Sequence, residues 1–316
     1  MVLHRLLLAS LVLSSLVSTG WAAQRVESQN FVFPLGGKVV VGTYRGAIEV
    51  VPGEGRDVMV SVSSLSPSID SEEALLALDS LQLILEQIDG DVFVKARNPR
   101  ETGVRFIWED QSNIAIRIKV TVPQECNLDL MTRDGGITVG NLRGEMKART
   151  ESGAIFFRRI DGNIDARAQS GDVVVSRCTG SVDLRTVSGN VRTGMIGGSA
   201  RLETVNGNIE LQTARGAVEA FTTEGDIDVG FATISAESKI IAMVGNITAR
   251  MNPKESFSIS AAARWGNVSN ELAIQGSKRG SSRRHLHGDY NGGGALIELK
   301  ANGGSVKIES DPYIDG

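Results

Sequence analysis

Residues 150–175 read TESGAIFFRRIDGNIDARAQSGDVVV, and glycine occupies every ninth position within them. The same spacing continues on both sides of this stretch. It places glycine at Gly135, Gly144, Gly153, Gly162, Gly171, Gly180, Gly189, Gly198, Gly207, Gly216 and Gly225. A fixed period of this kind indicates a stack of equivalent units, each of which buries its apolar face against its neighbours.

The residues between the glycines follow the pattern of a strand. The second position after each glycine is apolar throughout, as in Ile155 and Val173, and the fourth is apolar except at Thr193. Such alternation is typical of a strand with one buried and one solvated face. Glycine then forms the corner, where the backbone needs a positive φ or passes close to another strand. We therefore expect asparagine to replace Gly171 or Gly189 more readily than valine.

Alternate corners differ, which doubles the period to eighteen residues. One class contains Thr186-Val-Ser-Gly189, and the other contains Ile160-Asp-Gly162. One coil thus has two short strands and two unlike corners, and successive coils stack with parallel strands about 4.8 Å apart. The sequence predicts an all-β fold, a β-solenoid. A calcium-binding roll is excluded, because no aspartate recurs at a fixed place after the glycines.

The first 23 residues predict export. Arg5 precedes an apolar run from Leu6 to Leu13, and small residues follow at Ala22 and Ala23, which is the pattern of a signal peptide. The mature chain is expected in the periplasm or on the surface of a bacterium. No later segment approaches about 18 consecutive apolar residues, so a membrane span is not expected.

The rest of the chain, residues 24–316, is expected to form one continuous domain. Outside the repeats, short strand patterns alternate with turns. A capping box at Asp70 and Glu73 predicts one short helix that ends near Leu78. The strands at 295–300 and 305–309 are expected to close the domain. The segments are an N-terminal β segment and cap at 24–130, the regular solenoid at 131–250, and irregular coils with a cap at 251–316.

Composition narrows the range of partners. The 316 residues include 33 Lys and Arg against 37 Asp and Glu, a net charge of −4, which argues against nucleic acid as a partner. Cys126 and Cys178 lie nearly three coils apart, too far for a disulfide, whose Cα atoms must lie within about 7 Å. We expect both to be unpaired apolar fillers, since Cys178 takes the place of Ile160 and Ile196 in the repeat.

One part of the sequence resembles a known family. Ile118-Lys-Val-Thr-Val-Pro123 is followed by Asn127-Leu-Asp-Leu-Met-Thr-Arg-Asp-Gly-Gly-Ile137 and then by repeats of the type Thr-x-Ser-Gly-x-Ile. The pattern resembles the bacterial putative-adhesin family, the domain of unknown function with the number 4097, over about residues 30–310. The resemblance implies a β-solenoid on the exported side of a bacterial envelope. It implies no functional residues, because the pattern has no catalytic signature.

Few residues could carry chemistry. His285 and His287, in a late basic loop at 276–294, would place two imidazoles on one face of a strand, but a third rigid metal ligand is not evident. The alternative is a solvated loop. The sequence has no nucleophile elbow, metalloprotease helix or phosphate loop. We therefore expect no catalytic residue, no metal and no cofactor.

The outward positions suggest a binding surface. Arg149, Arg167 and Arg185 stand eighteen residues apart and should stack as a column on one sheet, where like charges on adjacent strands repel. Asp165 and Asp183 belong to the same face, so the column is either a self-neutralising ion-pair lattice or a stripe that binds acidic glycans or phosphates. Catalysis by the stripe is a third interpretation.

Two other columns have a structural and a functional interpretation. Phe156 and Val174 should be outward neighbours on the opposite sheet, beside Arg158, where they could contact a partner. A set of threonines has the parity of the buried face, so hydrogen bonds that close a corner explain them better than an ice-binding array. These are Thr150, Thr186, Thr204 and Thr222.

These features favour a non-enzymatic exported module of the cell envelope or surface. Its expected partner is an acidic glycan or an envelope protein, and its candidate ligand-binding residues are Arg149, Arg167 and Arg185. The alternative is a polysaccharide-active enzyme, a lyase or hydrolase, that uses the same arginines. The repeats leave no room for the long loops that would wall a substrate groove, which favours the binding module.

Overall fold

The computed structural model describes residues 13–19, 22–34, 36–66, 78, 81–97, 115–275 and 284–314. These residues form an all-β solenoid made of two compact units, residues 1–138 and 139–316. The predicted helix lies outside the described residues except for Leu78, which is buried. Most of the predicted signal peptide also lies outside them, so its cleavage stays a prediction.

The first unit contains two sheets. Its strands are β1 (Leu13–Thr19), β2 (Ala22–Val32), β3 (Lys38–Arg45), β4 (Ala47–Pro52), β5 (Asp57–Ser66), β6 (Gln82–Ile88), β7 (Asp91–Arg97), β8 (Ala115–Val122) and β9 (Asn127–Asp134). One sheet has the order β1-β2-β5-β8-β4, and the other has the order β9-β3-β7-β6. Asp89 and Gly90 join β6 to β7 with φ of 51° and 93°, as a two-residue hairpin of type I′ requires.

The second unit repeats one coil many times. A short strand, β10 (Ile137–Val139), crosses the boundary between the units. The strands that follow are β11 (Leu142–Arg143), β12 (Met146–Ser152), β13 (Ile155–Asp161), β14 (Ile164–Ser170), β15 (Val173–Cys178), β16 (Val182–Ser188), β17 (Val191–Ile196), β18 (Ala200–Asn206), β19 (Ile209–Ala214), β20 (Val218–Glu224), β21 (Ile227–Phe231), β22 (Ser238–Val244), β23 (Ile247–Met251), β24 (Phe257–Ala263), β25 (Val268–Asn270), β26 (His285–Tyr290), β27 (Leu296–Ala301) and β28 (Val306–Ser310).

Strand register confirms the eighteen-residue coil. In one sheet, which we call the odd sheet, Ile155 pairs in parallel with Val173 and Val173 with Val191. The odd sheet has the order β13-β15-β17-β19-β21-β23-β28-β25, and the even sheet has the order β12-β14-β16-β18-β20-β22-β27-β24-β26. The predicted inward residues are buried. Thr193, the exception in the pattern, is buried as well and donates its hydroxyl to the carbonyl of Glu210 at 3.4 Å.

Glycine is required at the corners because adjacent coils meet there backbone to backbone. Gly171 has φ of 140° and Gly189 has φ of 151°, so the predicted positive φ is present. A Cβ atom on Gly171 would overlap the carbonyl oxygen of Gly153 one coil earlier. That overlap disfavours every side chain at Gly171, asparagine as well as valine, and the expectation that asparagine is the better tolerated of the two stays a prediction.

Side chains next to the glycines tie each coil to the next. Threonine hydroxyls donate to glycine carbonyls of the preceding coil, as the sequence predicts, at 2.9–3.0 Å, from Thr186 to Gly171, from Thr204 to Gly189 and from Thr222 to Gly207. After the glycines of this class from Gly171 onward, a side-chain oxygen accepts the backbone N–H of the equivalent residue one coil later. This second ladder runs through Asp172, Asn190, Asn208, Asp226 and Asn246. Both ladders satisfy polar groups at a corner where the regular sheet bonding ends.

The last coils do not follow chain order. β27 lies between β22 and β24, and β28 lies between β23 and β25, with parallel pairing on both sides. The strands predicted at 295–300 and 305–309 are therefore present but do not close the domain. The end of the even sheet is β26, which is antiparallel to β24. Gln275 exchanges two backbone hydrogen bonds with Asp289 of β26, at 2.7 and 2.9 Å, and so covers part of that edge.

Candidate functional site

The even sheet carries the predicted arginine column on its outer face. Arg149 of β12 pairs in register with Arg167 of β14, which pairs with Arg185 of β16. Glu203 and Phe221 continue the column on β18 and β20, as the repeat predicts. Parallel strands lie about 4.8 Å apart, so the three arginines are near neighbours.

Carboxylates neutralise two of these three arginines. Asp165 lies two residues before Arg167 and its Oδ1 lies 3.2 Å from the Arg167 Nε. Asp183 accepts two hydrogen bonds from Arg185, at 2.8 and 2.9 Å, in the bidentate arrangement that suits a guanidinium group. Hydrogen bonding to Asp183 raises the pKa of Arg185, and Glu203 lies 3.6 Å from its Nη1. This part of the column is an ion-pair lattice.

Arg149 differs from its two neighbours. Among the described residues, no carboxylate oxygen lies within 4.0 Å of its guanidinium group, and Lys147 on the same strand is exposed. Within the described residues, Arg149 is therefore the one arginine of the column that has no carboxylate partner. Whether Arg149, Arg167 and Arg185 bind a ligand stays a prediction, and the observed pairing favours the lattice interpretation for the latter two.

Large apolar side chains are also exposed on the outer face of the even sheet. Phe221 is 39% exposed and pairs in register with Ile241 of β22. Met243 on the same strand is 40% exposed, and Val187 and Val205 are also exposed. The outer face of the even sheet thus mixes apolar with charged side chains, and the charged ones continue on β22 and β27 as Lys239, Glu298 and Lys300.

The odd sheet carries a cationic cluster of which the sequence analysis named only Arg158. It consists of Arg158 and Arg159 of β13 and Arg177 of β15, all of them exposed. Phe157 and Ile160 are both buried, so the two arginines between them both face outward. Arg159 pairs in register with Arg177. Among the described residues, no carboxylate oxygen lies within 4.0 Å of any of the three guanidinium groups.

Phe156 and Val174 are outward neighbours beside this cluster, as predicted, and both are half-buried. Arg192 follows them in the same column, but its Nη1 lies 2.9 Å from Oδ2 of Asp172. The odd sheet therefore has an apolar pair and three arginines on two adjacent coils, followed by a paired arginine.

The histidines and cysteines offer no comparable site. His285 and His287 face outward from β26 opposite Ala262 and Ser260. In the described part of the chain, no three His, Cys, Asp or Glu side chains converge as a metal site would require. Both cysteines are free and buried, and burial raises the pKa of Cys126 to about 12 and that of Cys178 to about 11. Thiols with such a pKa are poor nucleophiles.

Within the described residues, no helix has the length and apolar character needed to cross a bilayer. No curated protein matches the sequence.

Several solved structures are similar over most of the chain. A putative adhesin from Bacteroides fragilis is 14% identical, with 90% of this chain and 96% of that chain covered and a TM-score of 0.36. A putative lipid binding protein from Parabacteroides distasonis is 12% identical, with coverage of 90% and 96% and a TM-score of 0.39. A putative cell adhesion protein from Clostridium sporogenes is 10% identical, with coverage of 90% and 100% and a TM-score of 0.23.

The sequence also matches a family model twice, over residues 60–195 and 179–309. The two matches together cover most of the chain and include the whole regular solenoid. They agree with the resemblance inferred from the repeats. The chain belongs to the Toastrack family DUF4097.

Proposed function

We propose that this protein is a non-enzymatic exported module of the bacterial envelope or surface, and that it binds an acidic glycan on the outer faces of its second unit. The observation that supports this proposal is the regular placement of outward cations on adjacent parallel strands. Guanidinium groups bind carboxylates in a bidentate manner, and a stack of coils repeats them at one strand spacing. A polymer with repeating acidic groups matches such a surface.

The shape of the repeats supports a polymer as the partner. Only Gly171 and Asp172 separate β14 from β15, and the other corners between β12 and β20 are similarly short. Sites for small molecules are concave and enclose most of the ligand. Short corners leave the sheet faces open, and an open face suits an extended chain.

A polysaccharide-cleaving activity receives less support from the same geometry. A lyase that used the arginine column would need free guanidinium groups to neutralise the substrate and a nearby base. Arg167 and Arg185 already hold Asp165 and Asp183. The outward neighbours of these arginines along the column are arginine, glutamate and phenylalanine, which supply no histidine or tyrosine as base.

The proposal is tested by titrating the protein with polygalacturonate, a carboxylate polysaccharide, and with neutral dextran. We expect binding of polygalacturonate at low ionic strength, weaker binding at high ionic strength, and no binding of dextran. Reducing ends and unsaturated products are measured after long incubation. The absence of binding would contradict the acidic-glycan proposal, and release of new chain ends would contradict a non-enzymatic module.

A further inference from the structure

The cationic cluster of the odd sheet, Arg158, Arg159 and Arg177, is unusual because no carboxylate oxygen of the described residues lies within 4.0 Å of its guanidinium groups. Arg159 and Arg177 are direct neighbours on parallel strands, and like charges in register destabilise a sheet. Arg158 adds a third positive charge one residue away. A fold that needed these positions only for solubility could use side chains of opposite charge.

The acidic residue nearest in sequence is already engaged. Asp161, two residues after Arg159, accepts a hydrogen bond from the Thr179 hydroxyl at 2.7 Å and another from the Arg143 Nε at 2.9 Å. These two hydrogen bonds, that from Thr179 first, lower the pKa of Asp161. The carboxylate of Asp161 is therefore ionised, but it forms its ion pair with Arg143 and not with the cluster.

The cluster lies next to an apolar pair of side chains and to a part of the sheet face that no side chain covers. Phe156 and Val174 lie side by side on the same strands, two or three residues before the arginines. Ser176 is exposed next to Arg177, and Gly194 on the next strand has no side chain to cover the face. Phe156 offers a ring face on which the apolar side of a sugar can pack, and Ser176 offers a hydroxyl.

We propose that Arg158, Arg159 and Arg177, together with Phe156 and Val174, form a binding site for a carboxylate-bearing polysaccharide. The arginines hold carboxylates on successive residues of the polymer, and the Phe156–Val174 pair carries a sugar ring. This inference rests on the proposed function and assigns it to the odd sheet rather than to the predicted column of Arg149, Arg167 and Arg185.

The test compares two charge-matched variants of the full protein. R159Q/R177Q removes two unpaired arginines. R192Q/R250Q removes two arginines of the same sheet that are paired with Asp172 and Asp228, each at 2.9 Å or less. Both changes lower the net charge by the same amount. A difference in polygalacturonate affinity between the two variants is therefore due to where the substituted arginines lie on the sheet. Circular dichroism and thermal unfolding check that both variants are folded.

We expect R159Q/R177Q to weaken polygalacturonate binding by about tenfold or more and to reduce its salt dependence, and R192Q/R250Q to weaken it by less than about threefold. F156A should weaken binding while leaving the salt dependence as in the wild type, because it removes only an apolar contact. Equal losses in the two arginine variants would overturn the inference, as would wild-type affinity in R159Q/R177Q.

The outcomes separate this inference from the proposed function. If the wild type binds polygalacturonate and R159Q/R177Q binds it equally well, the site is wrong but the glycan-binding proposal stands. If the wild type does not bind polygalacturonate, both are wrong. Vesicles of phosphatidylglycerol are tested in parallel. If the wild type binds these vesicles instead of polygalacturonate, and R159Q/R177Q does not, the proposed polysaccharide ligand is wrong and a lipid surface is indicated.

Discussion

Two pairs of arginines in the second unit have the same backbone geometry and opposite electrostatic settings. Arg167 and Arg185 on the even sheet are register partners on adjacent parallel strands, and so are Arg159 and Arg177 on the odd sheet. The first pair has an aspartate two residues earlier on each strand, whereas the second pair has none. The eighteen-residue repeat can place the same charge at the same position of successive coils. Whether that charge is neutralised depends on the residues two positions earlier on each strand.

The comparison also separates stability from recognition. Exposed ion pairs contribute about 0 to 1 kcal/mol each, so the lattice around Arg185 adds little to a fold held by its buried core and its corners. The outward charges can therefore differ between the sheets without endangering the fold. Substitutions at the corners should affect both sheets, because both sheets share these corners. Substitution of the aspartates that pair with Arg167 and Arg185 should affect only the difference in charge between the sheets.

The largest effect is expected from Gly171→Ala, which would disrupt both regions together. The new Cβ would overlap the carbonyl of Gly153 and the residue would keep an unfavourable φ, so the free energy of unfolding should fall by more than about 2 kcal/mol. Chemical denaturation measures this loss. Gly42→Ala is the control, because a Cβ there meets no atom within 4 Å. Equal stability of the two variants would contradict the close approach of the coils.

A smaller effect is expected from Thr204→Val, which loosens a corner without changing any outward charge. The variant loses the hydrogen bond to the carbonyl of Gly189, and the free energy of unfolding should fall by about 1 kcal/mol. Polygalacturonate affinity should not change, since this side chain is buried. Thr223→Val, at an outward position, is the control and should alter stability by less than about 0.5 kcal/mol. A loss of affinity in Thr204→Val would mean that the corners take part in binding.

The smallest effect, and the most direct test of the comparison, is expected from D165N/D183N. This variant leaves Arg167 and Arg185 without their closest carboxylates, as Arg159 and Arg177 are in the wild type. Affinity for polygalacturonate at low salt should rise by about threefold, while stability changes by less than about 1 kcal/mol. E210Q/E237Q is the control, because it removes the same charge at two carboxylates that lie within 4.0 Å of no Lys or Arg nitrogen of the described residues. Unchanged affinity in D165N/D183N would show that unpaired stacked arginines alone do not attract the polymer.

The missed cluster shows where strict alternation fails as a guide. From Ile155 and Phe157, alternation would place Arg159 inward, yet Ile160 is the next buried residue. The signal was present in the sequence, because the position of Ile160 is again apolar at Cys178 and Ile196, seven residues after each glycine of that class. Alternation expects every second residue to face inward, whereas in this strand two successive residues, Arg158 and Arg159, are exposed between the buried Phe157 and Ile160.

The local parts of the fold followed from the sequence alone. Coil length, inward faces, corner glycines and the arginine column all depend on residues within one period, and each coil repeats the same local chemistry. Asp or Asn follows four successive glycines of one class, at Asp172, Asn190, Asn208 and Asp226, but the sequence does not show what these side chains do. Their hydrogen bonds join residues of adjacent coils, as between Asp172 and Asn190, and so exist only once the coils are stacked.

Only the tertiary structure decided the order of the last coils and the pairing of the charges. The sequence predicts strands at 295–300 and 305–309 equally well whether they end the stack or enter it. They enter it, as β27 and β28, between coils that precede them in the chain. A strand pattern specifies which face is buried but not which edge is paired. A strand pairs with an edge whose backbone N–H and C=O groups have no other partner. Which edges have such groups depends on how all the other coils stack, and so on the whole unit.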